Sequence, residues 1–225
     1  EATYLPLPEE DGTLSPEASE VILSEASSYQ ALLVGCGLGQ GSDVGRLLRQ
    51  TLFTSRYPGT PMVLDADALN IMSRIPEWWM GLGGETVVTP HPGEMSRLMR
   101  NSVAEINCNR LNATRKSAVQ WNKSVVLKGA YTVISSPQGH VRISPFANPG
   151  LASAGTGDVL AGATAGLLAQ GLSAFDAASC AVYLHGAAGE QVRLAMGDTG
   201  MVASDLLPRL PLAIKQVREG DLHLD

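Results

Sequence analysis

Four short apolar, β-rich runs punctuate the chain: ALLVG at 31–35, MVLDA at 62–66, TVVTP at 86–90 and SVVLKG at 124–129. Each is a near-continuous hydrophobic stretch rather than a strict alternation, as strands buried on both faces require. The segments between them have helical patterns, and this alternation predicts an α/β fold with a mostly parallel sheet covered by helices. Three helix starts are marked. Ser15-Pro16-Glu17 supplies an N-cap followed by proline at the first helical position, and Ser102 with Glu105 and Ser173 with Asp176 have capping-box spacing. TVIS at 132–135 and HVRIS at 140–144 flank a Pro137-Gln138-Gly139 turn, which predicts a hairpin appended to the sheet. Beyond it the chain is mostly helical. No internal repeat, low-complexity linker or shift in composition divides it, so one domain is expected over residues 1–225.

Composition narrows the function classes. The 225 residues are 44% hydrophobic and 17% charged, the make-up of an ordered globular fold. A net charge of −6 offers no broad attraction for phosphate polymers or anionic membranes, which argues against a nucleic-acid or membrane-surface partner. Cys36, Cys108 and Cys180 form no C-x-x-C pair, which suits a reducing compartment and argues against a structural zinc site. The acidic, proline-containing start EATYLPLPEEDG lacks the basic and apolar regions of a secretory signal. The longest apolar stretch, Val159 to Leu172, is shorter than the ~20 residues of a membrane span. A cytoplasmic location is expected.

The chemistry concentrates in NPGLASAGTGDVLAGATAGLLAQG at 148–171, a Gly-rich loop running into a small-residue helix. Gly155 and Gly157 let the backbone approach a ligand, and the unpaired N–H groups and dipole of a first helical turn favour an anion such as phosphate. Asp158 in that turn is explained by the dipole alone, and a general base for a hydroxyl attacking a phosphoryl group is a second, compatible reading. In VLDADALN, Asp65 and Asp67 sit at the end of a predicted strand, where open α/β sheets bind ligands. The bland alternative makes Asp67 the N-cap of a helix starting at Ala68 and Asp65 a buried, hydrogen-bonded acid. His91 in TPHPGEMSRLM is locked between two prolines and is suited to donating a hydrogen bond to a polar ligand, or is incidental. Gly35, Gly37 and Gly39 depart from a dinucleotide fingerprint but mark close backbone approach, to a ligand or a neighbouring loop. Lys128 either meets a nucleotide phosphate or snorkels at the sheet edge. His185 reads as a satisfied core histidine. Trp78 and Trp79 follow Pro76 in an expected surface loop, for core packing or a subunit contact.

Taken in order, GCGLGQG, VLDADALN, TPHPGEMSRL, VVLKGAYTVI, NPGLASAGTGDVLAG and GMVASDLLPRLP resemble the ADP/ATP-dependent NAD(P)H-hydrate dehydratases. The resemblance covers essentially the whole chain, although GTGD alone is common to many ribokinase-like kinases. It implies a ribokinase-like three-layer sandwich, a mostly parallel sheet with helices on both faces. It also implies repair of the hydrated dinucleotides (6S)-NADHX and (6S)-NADPHX to NADH and NADPH, driven by ADP or ATP. On that resemblance Gly39 and His91 face the hydrated dinucleotide, and Lys128, Gly129, Ala130, Tyr131, Thr132 and Gly157 face the adenine nucleotide. Asp158 stands at the reacting hydroxyl, and Gly155, Thr156 and Gly157 form an anion hole. Asp65, Asp67, Asn70, Glu94 and Asn148 are supporting residues within the same motifs. Magnesium (Mg2+) bridging nucleotide oxygens is implied as for phosphoryl transfer in general, with no dedicated metal cluster in the sequence.

Three departures stand out. Family members begin with a further segment of roughly fifty residues, a Gly-rich strand and helix; its absence predicts an exposed sheet edge, covered by another polypeptide or another copy of this one. Cys36 replaces the proline familiar beside these glycines, and Tyr131 stands where a small residue is usual. A homo-oligomer, a tetramer by the resemblance, is therefore expected. Two other functions stay open: a ribokinase-like kinase of a vitamin-precursor alcohol, which would not carry TPHPGE and DADALN together, and a nucleotide-binding subunit without turnover.

Overall fold

The structure is a computed structural model describing residues 2–197 and 199–220. A small antiparallel ribbon, β1 (Glu9–Glu10) and β2 (Thr13–Leu14), leads into α1 (Ala18–Glu25). Strands and helices then alternate: β3 (Leu32–Val34), α2 (Ser42–Leu52), β4 (Met62–Leu64), α3 (Ala66–Met72) and β5 (Thr86–Val88). Three helices, α4 (Pro92–Met99), α5 (Val103–Cys108) and α6 (Arg110–Trp121), precede β6 (Ser124–Leu127). The hairpin β7 (Val133–Ser135) and β8 (Val141–Ile143) follows, and α7 (Thr156–Ala169), α8 (Ala174–Met196), α9 (Ala203–Leu206) and α10 (Leu210–Glu219) close the chain.

The main sheet runs in chain order, β3-β4-β5-β6-β7-β8. Pairs β3–β4, β4–β5 and β5–β6 are parallel, and β6–β7 and β7–β8 are antiparallel. All four predicted runs are strands, and the hairpin is where the Pro-Gln-Gly turn places it. The order follows from handedness: each parallel crossover is right-handed, so crossovers that place their helices on one face step the sheet in one direction.

Alternation along the strands sorts the core into two layers. Met62, Leu64, Val88, Val125 and Leu127 face α1 to α6, where Leu48, Leu69, Met72, Met95 and Trp121 fill the space. Val63, Val87 and Val126 face the other way, onto α7 and α8 through Leu160, Ala161, Ala177, Ala178 and Ala181. The sheet is thus sandwiched between helices. The apolar stretch at 159–172 is absorbed by this packing, and no described helix is long and apolar enough to cross a membrane.

Local signals held to different degrees. Ser102 and Glu105 cap one another at α5, and the Ser173 hydroxyl accepts from the Asp176 amide at α8, both as predicted. The helix expected from Pro16 starts at Ala18, because Pro16 and Glu17 form a turn in which the Ser15 carbonyl accepts the Ala18 amide. Trp78 is buried in a short 3-10 turn at 78–81 rather than in a surface loop, against Trp121 at 5.2 Å and Trp79 at 5.9 Å between ring centroids. Core packing accounts for it.

Candidate functional site

The loops after β3, β4, β5 and β6 meet at the carboxyl edge of the sheet, where parallel α/β sheets present their binding surfaces. Gly35 follows β3 at φ +131°, and a Cβ there would collide with the Asp65 carbonyl, so the first glycine loop leans on the second strand's turn. Gly37 and Gly39 have open space around them. At the end of β4, Ala66 adopts the left-handed region at φ +49°, an unusual conformation for a residue with a side chain. This bend sends the two acids to different partners. Asp65 is buried and accepts from Lys128 Nζ at 2.6 Å, whereas Asp67 accepts from the Gly39 amide at 2.8 Å and Gln40 Nε2 at 2.7 Å. Asp67 is therefore not the N-cap of a helix at Ala68; α3 begins at Ala66, and Asp67 pins the first glycine loop. Asn70 on α3 accepts from Arg97 Nε at 2.9 Å.

His91 is the N-cap of α4, in a reciprocal capping box with Glu94. Its Nδ1 accepts from the Gly93 amide at 3.0 Å and the Glu94 amide at 3.4 Å, while Glu94 accepts from the His91 amide at 2.8 Å. With Nδ1 used as an acceptor, the ring proton sits on Nε2, 3.4 Å from Glu94 Oε1. Burial, then the nearby Lys128 and Arg97 charges, hold the imidazole below its ordinary pKa, so it is a neutral donor with a half-exposed side chain. Burial raises the Glu94 carboxyl, against the pull of Lys128 at 3.9 Å. Gly93 was not singled out in the sequence, yet a Cβ there would stand 2.8 Å from His91 Cε1.

From the opposite layer α7 points its N-terminus into this edge. Gly155 caps it at φ +84°, a left-handed conformation that favours glycine, and a Cβ there would press on Ala203 of α9 at 3.1 Å. The Gly157 and Asp158 amides have no acceptor among the described residues, as a first helical turn requires of an anion site. Thr156 turns inward, its hydroxyl donating to the Leu151 and Ser153 carbonyls at 2.7 and 2.8 Å. A Cβ on Gly157 would meet Lys128 Nζ at 3.4 Å, so the ammonium sits directly against this turn. Asp158 is exposed, with the Cys36 sulfur within 4.8 Å of its carboxylate; burial first, then this neighbouring acid, push the Cys36 thiol pKa up to about 12.

The loop after β6 completes the site. Arg110, unnoticed in the sequence, donates to the carbonyls of Leu127 and Lys128 at 2.9 and 3.2 Å and lies beneath Gly129, at φ +131°. Thr132 Oγ1 donates back to the Gly129 carbonyl at 2.8 Å; Ala130 and the left-handed Tyr131 are exposed. Lys128, Gly129, Ala130, Thr132, Gly157 and Asn148 all border one 360 Å³ cavity, which Phe146, Leu151 and Val182 line with apolar surface. Tyr131 is not in its wall. His185 is in the wall, so it is buried but not wholly a core residue.

A family model described as NAD(P)H-hydrate dehydratase matches residues 3–212. The chain belongs to the NAD(P)H-hydrate dehydratase family. It is 41% identical over 208 residues to the bifunctional NAD(P)H-hydrate repair enzyme Nnr of Moorella thermoacetica, covering 92% of this chain and 39% of that protein. It is 39% identical over 189 residues to the ADP-dependent (S)-NAD(P)H-hydrate dehydratase of Neisseria meningitidis, covering 83% of this chain and 63% of the relative. The chain thus spans less than two thirds of either relative's length. Among solved structures it matches the Bacillus subtilis ADP/ATP-dependent NAD(P)H-hydrate dehydratase co-crystallised with ATP and Mg2+, with a TM-score of 0.73 and 34% identity over 83% of this chain and 64% of that one. This family membership makes the α/β sandwich ribokinase-like.

The fold also assembles a donor cluster that the sequence did not display, because its members are remote in the chain. Ligand atoms of Cys36, Asp65 and Asp158 lie within 4.8 Å of one another. As a resident magnesium site it does not fit: magnesium takes oxygen ligands, the Cys36 thiol is held protonated, and Asp65 is engaged by Lys128.

Proposed function

We propose that this chain dehydrates the S form of hydrated NADH or NADPH at the expense of ADP or ATP. One observation carries this: α7's free first-turn amides, the Lys128–Asp65 pair and the capped neutral His91 converge on one edge, around the Asp158 carboxylate. In this mechanism Asp158 takes the proton of the ring hydroxyl, whose oxygen attacks the nucleotide's terminal phosphorus and releases AMP from ADP, or ADP from ATP. The ester then loses phosphate as the neighbouring C–H proton departs and the ring double bond re-forms. Phosphate is the better leaving group; hydroxide is a poor one. Lys128 and the Gly157 amide stabilise charge on the moving phosphoryl group. Asp65 holds the lysine in place, and Glu94 holds His91 so that Nε2–H donates to the hydrated dinucleotide beside the Gly39 loop. A magnesium ion bound together with the nucleotide would offset charge on its phosphates, and none of the described residues is assigned to hold it.

The vitamin-precursor kinase is disfavoured, because His91, Glu94, Asp65 and Asp67 are all built into this edge. A cytoplasmic homo-oligomer, a tetramer by family resemblance, is part of the same proposal. The exposed Ile143, Leu194, Leu207 and Leu212 support self-association, and light scattering is expected to give a mass above that of the single chain. Asp158→Asn tests the chemistry. The amide keeps the shape but cannot take a proton, so turnover should fall about 100-fold or more while the nucleotide still binds. Near-normal turnover would remove Asp158 from the role of base.

A further inference from the structure

His185 is half used. Its Nε2 lies 2.9 Å from the Thr156 carbonyl in the first turn of α7. A carbonyl oxygen only accepts, so Nε2 carries the hydrogen. Burial drives the imidazole down to about 4, which keeps the ring neutral at physiological pH and leaves Nδ1 as a bare lone pair. Among the described residues nothing donates to that nitrogen, although the residue is 8% exposed and borders the 360 Å³ cavity. In the same wall, buried Asn148 accepts from the Gly150 amide at 2.9 Å through Oδ1, while its Nδ2 has no partner. A buried polar atom without a partner costs free energy unless a ligand or water meets it. The cavity therefore has a spare acceptor in His185 beside apolar walls from Phe146, Leu151 and Val182, with Lys128 and Gly157 bordering the same space, while Asn148 Nδ2 lies buried behind its wall.

We infer that His185 is the base-reading residue of this cavity, its Nδ1 accepting a hydrogen bond from the exocyclic amine of a 6-aminopurine nucleotide. This rests on the nucleotide reading above. A 6-oxopurine turns an oxygen lone pair toward the Nδ1 lone pair and is refused. His185 thereby ties base recognition to catalysis, since the turn it anchors through Thr156 also bears Gly157 and Asp158.

Calorimetric titration of the whole chain with ADP and with IDP, which differs at the six-position, tests this. The wild type should bind ADP about 10- to 100-fold more tightly than IDP, the scale expected when one analogue leaves a buried polar group unpaired. His185→Leu should bring the two affinities together, chiefly by weakening ADP. His185→Gln keeps both a donor for Thr156 and an acceptor, and should restore much of the preference; thermal melts of each variant separate binding from folding. Equal wild-type affinities for ADP and IDP, or an unchanged preference in a folded His185→Leu variant, would overturn the assignment of His185 while leaving the nucleotide site standing. Failure of the wild type to bind either nucleotide would overturn the proposed function and this inference together.

Discussion

The two helical layers of the sandwich are built from different materials. On the α1 to α6 side, large side chains do the packing: Leu48, Leu52, Met72, Met95 and the cluster of Trp78, Trp79 and Trp121. On the α7 and α8 side, alanines and glycines do it, and here side chains of the site lie against bare backbone. The Phe146 ring occupies the place of a side chain at Gly186, and Leu151 lies against Gly189. Both Phe146 and Leu151 line the cavity. Bulky packing stabilises by buried area and tolerates distance from the ligand, whereas small-residue packing brings the start of α7 and the wall of the cavity together. The first layer carries stability, and the second carries geometry.

This contrast can be broken at several points. Trp121→Ala should give the largest loss of stability, about 3–5 kcal/mol by denaturant unfolding, with nucleotide affinity of the folded protein unchanged because buried Trp121 ends α6 just before β6 begins and does not border the cavity. Reduced affinity in the folded variant would merge the two layers.

Acid should strike the other layer. The His185 pKa is lowered by folding from the ordinary 6.5 to about 4, so the unfolded chain binds the extra proton first. Its contribution is intact above pH 6.5 and is lost as the pH falls toward 4, by roughly 3 kcal/mol in all. Unfolding measured across this range should show a shallower decline in His185→Gln than in the wild type; parallel curves would contradict it.

Gly186→Ala should cost about 1–3 kcal/mol by overpacking against Phe146, and should weaken nucleotide binding beyond what the loss of fold explains. The smallest effect has the opposite sign. Gly162 and Gly166 lie within α7 with nothing near their Cβ positions, so Gly162→Ala and Gly166→Ala should each stabilise by about 0.5–1 kcal/mol. Melting curves that fall instead would show that close packing extends along the whole of α7.

The site was partly legible before folding. Gly155, Gly157 and Asp158 announce a helix N-terminus built for an anion, because glycine and acidic residues at that boundary have local causes. His91 between prolines announced a fixed ring, but its tautomer depends on amides and a carboxylate that only the α4 capping box supplies. Asp67 stayed open for a related reason: its cap-or-ligand ambiguity is resolved by the left-handed Ala66, a conformation that alanine does not advertise. Arg110 and Gly93 gave no sequence signal, since their partners are, respectively, the backbone of a strand end 17 residues away and a ring edge.

By itself the sequence determined the six strands of the main sheet, including the hairpin, and two of three capped helix starts, because apolar runs, turn residues and caps act over a few neighbouring positions; the β1–β2 ribbon carried no such signal. It also determined, through six motifs in order, the family. Tertiary structure alone decided that Lys128 lies between Asp65 and α7, that Cys36 lies beside Asp158, and that His185 keeps one nitrogen free beside a cavity. Each of these depends on groups tens of residues apart brought within a few ångströms by the sheet, and on burial that sets which protons they hold. Neither distance nor burial is a local property of the chain.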